Sequence, residues 1–151
     1  DRVELLFSAN AGEAPKALQK IASGGELSRL ALAIKSVGAA CSVTPTMIFD
    51  EIDSGLGGRA AQQVADKIAA IAQNKQVLCI THLPQLALVA ARHIHLVKET
   101  VEGRTQTRPV RLQEFERGNE LARMFYGDAV TPELLSATAR LLEQYQQHDE
   151  K

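Results

Sequence analysis

The sequence predicts an α/β fold, a mainly parallel sheet flanked by helices with an antiparallel hairpin at one side. Three observations predict it. Two short apolar runs, Thr46-Met47-Ile48-Phe49 and Gln76-Val77-Leu78-Cys79-Ile80, are each followed by helical patterning. A strand–helix–strand–helix order needs crossover connections, and crossovers make neighbouring strands parallel. Two further strand-like segments, His93 to Lys98 and Thr105 to Leu112, face each other across Gly103 and read as a hairpin.

The chain in order supports this. Val3 to Ser8 reads as a strand, and Asn10 to Lys16, with Gly12 and Pro15, as a loop. Leu27, Leu30, Ile34, Val37 and Cys41 recur at helical spacing, so a helix is expected from about Gly24 to about Ala40. Thr44-Pro45 breaks it before the central strand, Thr46 to Glu51. A run of four apolar or β-branched residues between turn signals reads as a strand buried on both faces. Ala61, Val64, Ile68 and Ile71 mark the crossover helix, with Asn74 near its end. The second buried strand runs from Gln76 to Thr81, and Pro84 suits the first turn of a short helix through about Ala91. Pro109 places the second hairpin strand at an edge. Asn119 and Gly127 are expected to bracket one short helix. Thr131-Pro132 caps the last one, which buries Leu134, Leu135, Leu141, Leu142 and Tyr145 before a frayed tail from Gln146.

Bulk properties set limits. The 151 residues suffice for one domain with a core, and 45% hydrophobic with 23% charged residues is ordinary for a globular protein. A formal net charge of −1 gives no basic field that would advertise nucleic acid. Cys41 and Cys79 sit among apolar residues and read as reduced core cysteines of a cytosolic protein. No apolar run approaches membrane-spanning length and no signal peptide is visible. Asp1 opens within strand-like sequence, so the chain is expected to be a piece of a longer one.

Three stretches carry chemistry. In Ser23-Gly24-Gly25-Glu26, Ser23 and Glu26 match a capping box, which alone is a structural feature. Two glycines in a first helical turn are poor helix formers, however. They let another molecule approach the backbone, where free N–H groups and the dipole favour an anion such as phosphate. Asp50 and Glu51 end the central strand, where ligands bind in open α/β sheets. They are a solvated pair or a working one. In the second case alternation along the strand gives them different tasks: Asp50 holds Mg²⁺ through water and Glu51 orients or deprotonates a water. Asp53-Ser54-Gly55 follows as a Gly-rich turn placed to meet a second subunit. His82 ends the next strand, as a structural residue or as a hydrogen-bond donor to a phosphate oxygen. His93, His95 and the arginines 104, 108 and 111 read as structural or solvated.

These motifs, in this order, resemble the ABC-type ATPase heads of the SMC-like family. Ser23-Gly24-Gly25-Glu26 resembles the ABC signature, Thr46 to Glu51 Walker B with its catalytic glutamate, Asp53 to Gly57 the D-loop, and His82 the switch histidine. The wording SGGELSR, IFDEIDSGLGGR and CITHLPQ is similar to a bacterial DNA-repair branch of that family, and Ser54-Gly55-Leu56-Gly57 departs from the usual SMC D-loop in the same direction. The resemblance covers most of the chain and weakens beyond about Lys98.

The resemblance implies ATP and Mg as cofactors, and residues 1–151 as the C-terminal lobe of a P-loop NTPase head. No GxxxxGK[ST] phosphate loop occurs in the sequence, and no Q-loop is evident. The implied partners are therefore the N-terminal lobe of the same head, a second head in a homodimer, and DNA, with no membrane. Ser23, Gly24, Gly25 and Glu26 would serve the partner head's nucleotide, with Asp53, Ser54 and Gly55 beside it. Asp50, Glu51 and His82 would serve the nucleotide in cis. The implied function is ATP binding and hydrolysis driving head dimerisation in recombinational repair of DNA double-strand breaks, in the cytoplasm at the nucleoid. The alternatives are a non-hydrolytic head-docking module and the head of another SMC-like chromosome-organising protein.

Overall fold

A computed structural model of the chain describes residues 4, 6–8, 12–17, 24–38, 44–101 and 103–148. The chain divides into two compact units, residues 1–81 and 82–151.

In the first unit a short antiparallel pair, β1 (Leu6–Phe7) with β2 (Lys16–Ala17), closes the predicted N-terminal loop. Lys16, expected in the loop, is the first residue of β2. Strands of two residues are too short for periodicity to reveal. Helix α1 (Gly24–Gly38) matches its expected span, and Ser23 and the proposed capping-box contact lie outside the described residues. Strand β3 (Thr46–Phe49) pairs in parallel with β4 (Gln76–Cys79), Met47 opposite Val77 and Phe49 opposite Cys79. Helix α2 (Gly58–Ala72) makes the crossover and buries Ala61, Ala65, Ile68 and Ile71. With Met47, Phe49, Ile52 and Leu32 these residues make the core of the unit.

The parallel pair is buried on one face only. Met47 and Phe49 point inward, but Ile48 is 69% exposed, and Leu78 and Ile80, on the same outer face, are 45% and 55% exposed. The expected two-sided burial is therefore not met among the described residues.

In the second unit α3 (Pro84–Leu88) starts with its proline at the first helical position. The hairpin β5 (Ile94–Val101) and β6 (Arg104–Arg111) turns at Gly103, whose φ of 76° suits glycine. Pro109 pairs with Leu96 in this two-stranded sheet. Helix α4 (Glu114–Tyr126) begins five residues before Asn119, the expected boundary. Gln113 is the true cap: its side chain accepts from the backbone of Glu116, and the Glu116 carboxylate accepts from the Gln113 N–H at 2.8 Å. Helix α5 (Pro132–His148) continues past Gln146, so the predicted fraying point lies inside it. Ala87, Leu88, Leu121 and Leu142 form the core of this unit, with Met124, Phe125, Leu141 and Tyr145 against it.

Among the described residues, three two-stranded sheets alternate in sequence with helices, as the α/β class expects, with one parallel pair and two antiparallel ones. No helix among the described residues is long and apolar enough to cross a membrane.

Candidate functional site

The site in the first unit is a tight turn at the end of β3. The strand stops at Phe49, one residue before the acids. Glu51 then takes φ = 54°, the left-handed region that a non-glycine residue enters only when its surroundings impose it. The Ser54 N–H donates to the Glu51 carbonyl and the Leu56 N–H to that of Asp53, both at 3.1 Å. The strand ends before Asp50 and the backbone changes hand at Glu51, so the alternation of a strand does not extend to the two acids. Both are exposed. Among the described residues neither carboxylate is engaged in a hydrogen bond or an ion pair.

Ile52, fully buried, anchors the turn from below. Asp53 is only 4% exposed, and its Oδ2 accepts from Thr81 Oγ1 at 2.5 Å, which ties the turn to the end of β4. Asp53 is thus buried, while Ser54 and Gly55 are open to solvent. Cys79 lies beside the turn, its thiol pushed up to about 11 by burial and then by the charges of Asp53 and Asp50. It is a protonated, unreactive thiol at neutral pH.

Helix α1 grips the turn at both ends. Ser28 Oγ donates to the Asp50 carbonyl at 3.1 Å, and Arg29 Nη1 to the Ser54 carbonyl at 2.8 Å. Gly25 closes this contact: a Cβ there would stand 2.9 Å from Ser54 Cβ and 3.1 Å from the Ser54 oxygen. The space a side chain would fill at position 25 is already taken within the chain. Glycine is needed there for the turn's own approach as well as for any ligand. Gly24 and Glu26 belong to the first turn of α1; the side chain of Glu26, like Ser23, is outside the described residues.

His82 belongs to the second unit, exposed at its start, two residues before α3. In that unit His93 is half-buried, its Nδ1 without a partner, and burial, then the Arg117 cation, lower its pKa. Glu120 accepts from Arg123 at 2.7 and 2.8 Å, which holds its carboxyl below the usual range, and lies 3.8 Å from His95. Arg108 pairs with Glu99 at 3.1 Å on the exposed hairpin. These agree with the structural reading of both histidines and the solvated reading of Arg108. Sequence reasoning missed the buried Arg117, as well as Thr81, Ser28 and Arg29 as the residues that hold the turn.

Among the described residues no group of three or more His, Cys, Asp or Glu side chains is arranged to hold a metal. Asp50 nevertheless fits the demand of Mg²⁺, which takes one or two carboxylates and completes its shell with water and substrate phosphates. It is exposed, and among the described residues its oxygens are unengaged.

No protein-family model matches the chain. Curated relatives do. The chain is 46% identical over 147 residues to the DNA repair protein RecN of Bacillus subtilis and 42% identical over 147 residues to that of Xylella fastidiosa, 97% of this chain in each case. It spans 26% of the length of either relative. Among solved structures, a chain from work on the ATP-driven dimerization and DNA-stimulated activation of SMC ATPases superposes with a TM-score of 0.52 at 24% identity, covering 79% of this chain and 71% of that one. That likeness shows the fold. Over the quarter of those proteins that it matches, the chain is similar in sequence to the DNA repair protein RecN.

Proposed function

We propose that this chain is the C-terminal lobe of an ATPase head whose ATP-driven dimerisation serves recombinational repair of DNA double-strand breaks. The observation that carries the reading is the turn at Asp50–Ser54, with two exposed carboxylates at a left-handed residue, held against the glycine of a signature-like helix.

In this reading ATP is the substrate. Asp50 would hold Mg²⁺ through water, and the cation would supply positive charge against that of the phosphates. Glu51 takes a proton from a water as its oxygen bonds to the γ-phosphorus. The bond from that phosphorus to the β–γ bridging oxygen breaks, leaving ADP and phosphate. His82 donates a hydrogen bond to a γ-phosphate oxygen in cis. The first turn of α1, at Gly24, Gly25 and Glu26, faces the nucleotide of a second head together with Ser23, with its helix dipole favouring the phosphates. Ser54 and Gly55 lie at that interface. The γ-phosphate joins the two heads, and its loss on hydrolysis weakens the joint.

The phosphate loop comes from an N-terminal lobe of the same head. The exposed apolar face of Ile48, Leu78 and Ile80 supports such a lobe. A cytoplasmic, nucleoid-associated location and DNA contact by the whole protein follow from the same reading.

The test is Glu51→Gln in the full-length protein. Removing the base is expected to lower turnover by about 100-fold or more and to trap ATP-bound dimers, read by phosphate release and light scattering. Turnover near wild type would refute the role of Glu51. Normal dimerisation with unchanged, undetectable hydrolysis in both proteins would favour the non-hydrolytic docking module.

A further inference from the structure

Arg117 is a buried cation that the proposed mechanism does not use. It lies on α4, 5% exposed, and among the described residues no carboxylate forms a salt bridge with it. Its Nη2 donates to the carbonyls of Ala87 at 3.2 Å and Leu88 at 3.0 Å, and to that of Ala90. One terminal nitrogen has two N–H groups, so two donors are shared among three acceptors. Its Nε has no partner. Burial lowers its pKa, with Glu114 pulling the other way. An apolar side chain of similar size would pack there without the cost of desolvating a charge. What the cation supplies is a set of donors.

Those donors hold the end of α3. This helix has five residues, too few to be stable alone, and its last carbonyls have no donors within the helix. Arg117 satisfies them, with its positive charge at the carboxyl end where the helix dipole favours it. At the other end the Leu86 and Ala87 N–H groups bond to the Leu83 carbonyl at 3.2 and 3.3 Å, and Pro84 fixes the first helical φ. Leu83, extended at φ −91° and ψ 128°, is the single residue between Pro84 and His82. The backbone at His82 therefore goes where α3 goes.

We propose that Arg117 is a positioning residue for His82, fixing α3 by its carbonyls and through α3 the point from which the imidazole reaches substrate. The proposal rests on the reading of His82 as a donor to the γ-phosphate. The test is a double-mutant cycle on steady-state ATP turnover in the full-length protein, with R117K, H82A and the pair. Lysine keeps the charge but not the planar fork. R117K is expected to lower kcat about tenfold, to change KM for ATP less than about twofold, and to have no further effect on kcat in the H82A background. An equal loss of kcat with and without His82 would overturn the proposal and leave Arg117 a purely structural residue. H82A with unaltered kcat would instead refute the reading of His82, and the inference would fall with it. Arg117→Gln, which keeps an NH₂ donor without a buried charge, takes the same place in the cycle where the lysine variant does not fold.

Discussion

Arg29 and Arg117 perform the same elementary act in the two units, and they differ in their access to water. Each reaches from a helix to backbone carbonyl oxygen of a segment distant in sequence. Among the described residues Arg29 makes one bond, to Ser54, in partly exposed surroundings. Arg117 is buried and serves three carbonyls. A solvated donor can exchange its acceptor for water at little cost, whereas a buried one cannot. The turn bearing Asp50 and Glu51 is thus held on its α1 side by exchangeable bonds, around a left-handed residue and beside the part-buried Asp53–Thr81 bond. The segment after His82 is held by bonds that do not exchange.

The contrast predicts a graded set of effects. The largest is expected on removing the buried donor. Arg117→Met leaves the carbonyls at the end of α3 without partners, at a cost of about 3 kcal/mol. Chemical denaturation of the chain should show a correspondingly lower midpoint; an unchanged midpoint would mean that the carbonyls find water instead. Next is Arg29→Ala, which should cost about 1 kcal/mol or less in stability. Its effect on turnover should be larger than that figure implies, because the Ser54 end of the turn is released. Parallel loss of stability and turnover would show the Arg29 bond to be only structural.

The smallest effect is the pH dependence of the second unit. Glu120 is held below its ordinary value by the hydrogen bond from Arg123, and His93 below its own by burial and Arg117. In both cases the unfolded chain binds more protons, so stability rises with pH through each window. The His93 contribution is complete above the ordinary histidine range and is lost as pH falls toward its lowered folded value. The Glu120 contribution is complete above the ordinary carboxylate range and is lost at still lower pH. The thermal midpoint should therefore fall on acidification, in two stages. A midpoint that rises between neutral pH and the carboxylate range would contradict this.

Much of the fold was legible because its elements obey simple periods. The helices α1 and α2, the hairpin about Gly103 and the parallel order of β3 and β4 all follow from spacing and turn residues. Helix α4 started earlier than expected because Asn119 was weighed and Gln113 with Glu116 was not, although that pair is a capping signal. The exposure of Ile48 was illegible for a different reason. An apolar run states what a strand prefers to bury, not whether the burying surface is present in the same chain.

At the site, Asp50, Glu51 and the glycine pair were visible as residue types in a pattern. The backbone reversal at Glu51 was not, since glutamate gives no signal for positive φ. The inward turn of Asp53 toward Thr81 is a contact across 28 residues, which spacing cannot show. Arg117 reads in sequence as part of a solvated helix face. Its position four residues before the buried Leu121, hence on the same side of α4, is the one signal that could have placed it inside.

The central claim is that this chain supplies half of an ATPase site, and nucleotide binding and turnover by the chain alone and combined with an N-terminal lobe test it most directly. The account predicts little ATP binding by the chain alone in calorimetry, and magnesium-dependent phosphate release from the combined lobes that Glu51→Gln abolishes. Tight ATP binding by the isolated chain, or a folded complex of both lobes with no magnesium-dependent phosphate release, would contradict it.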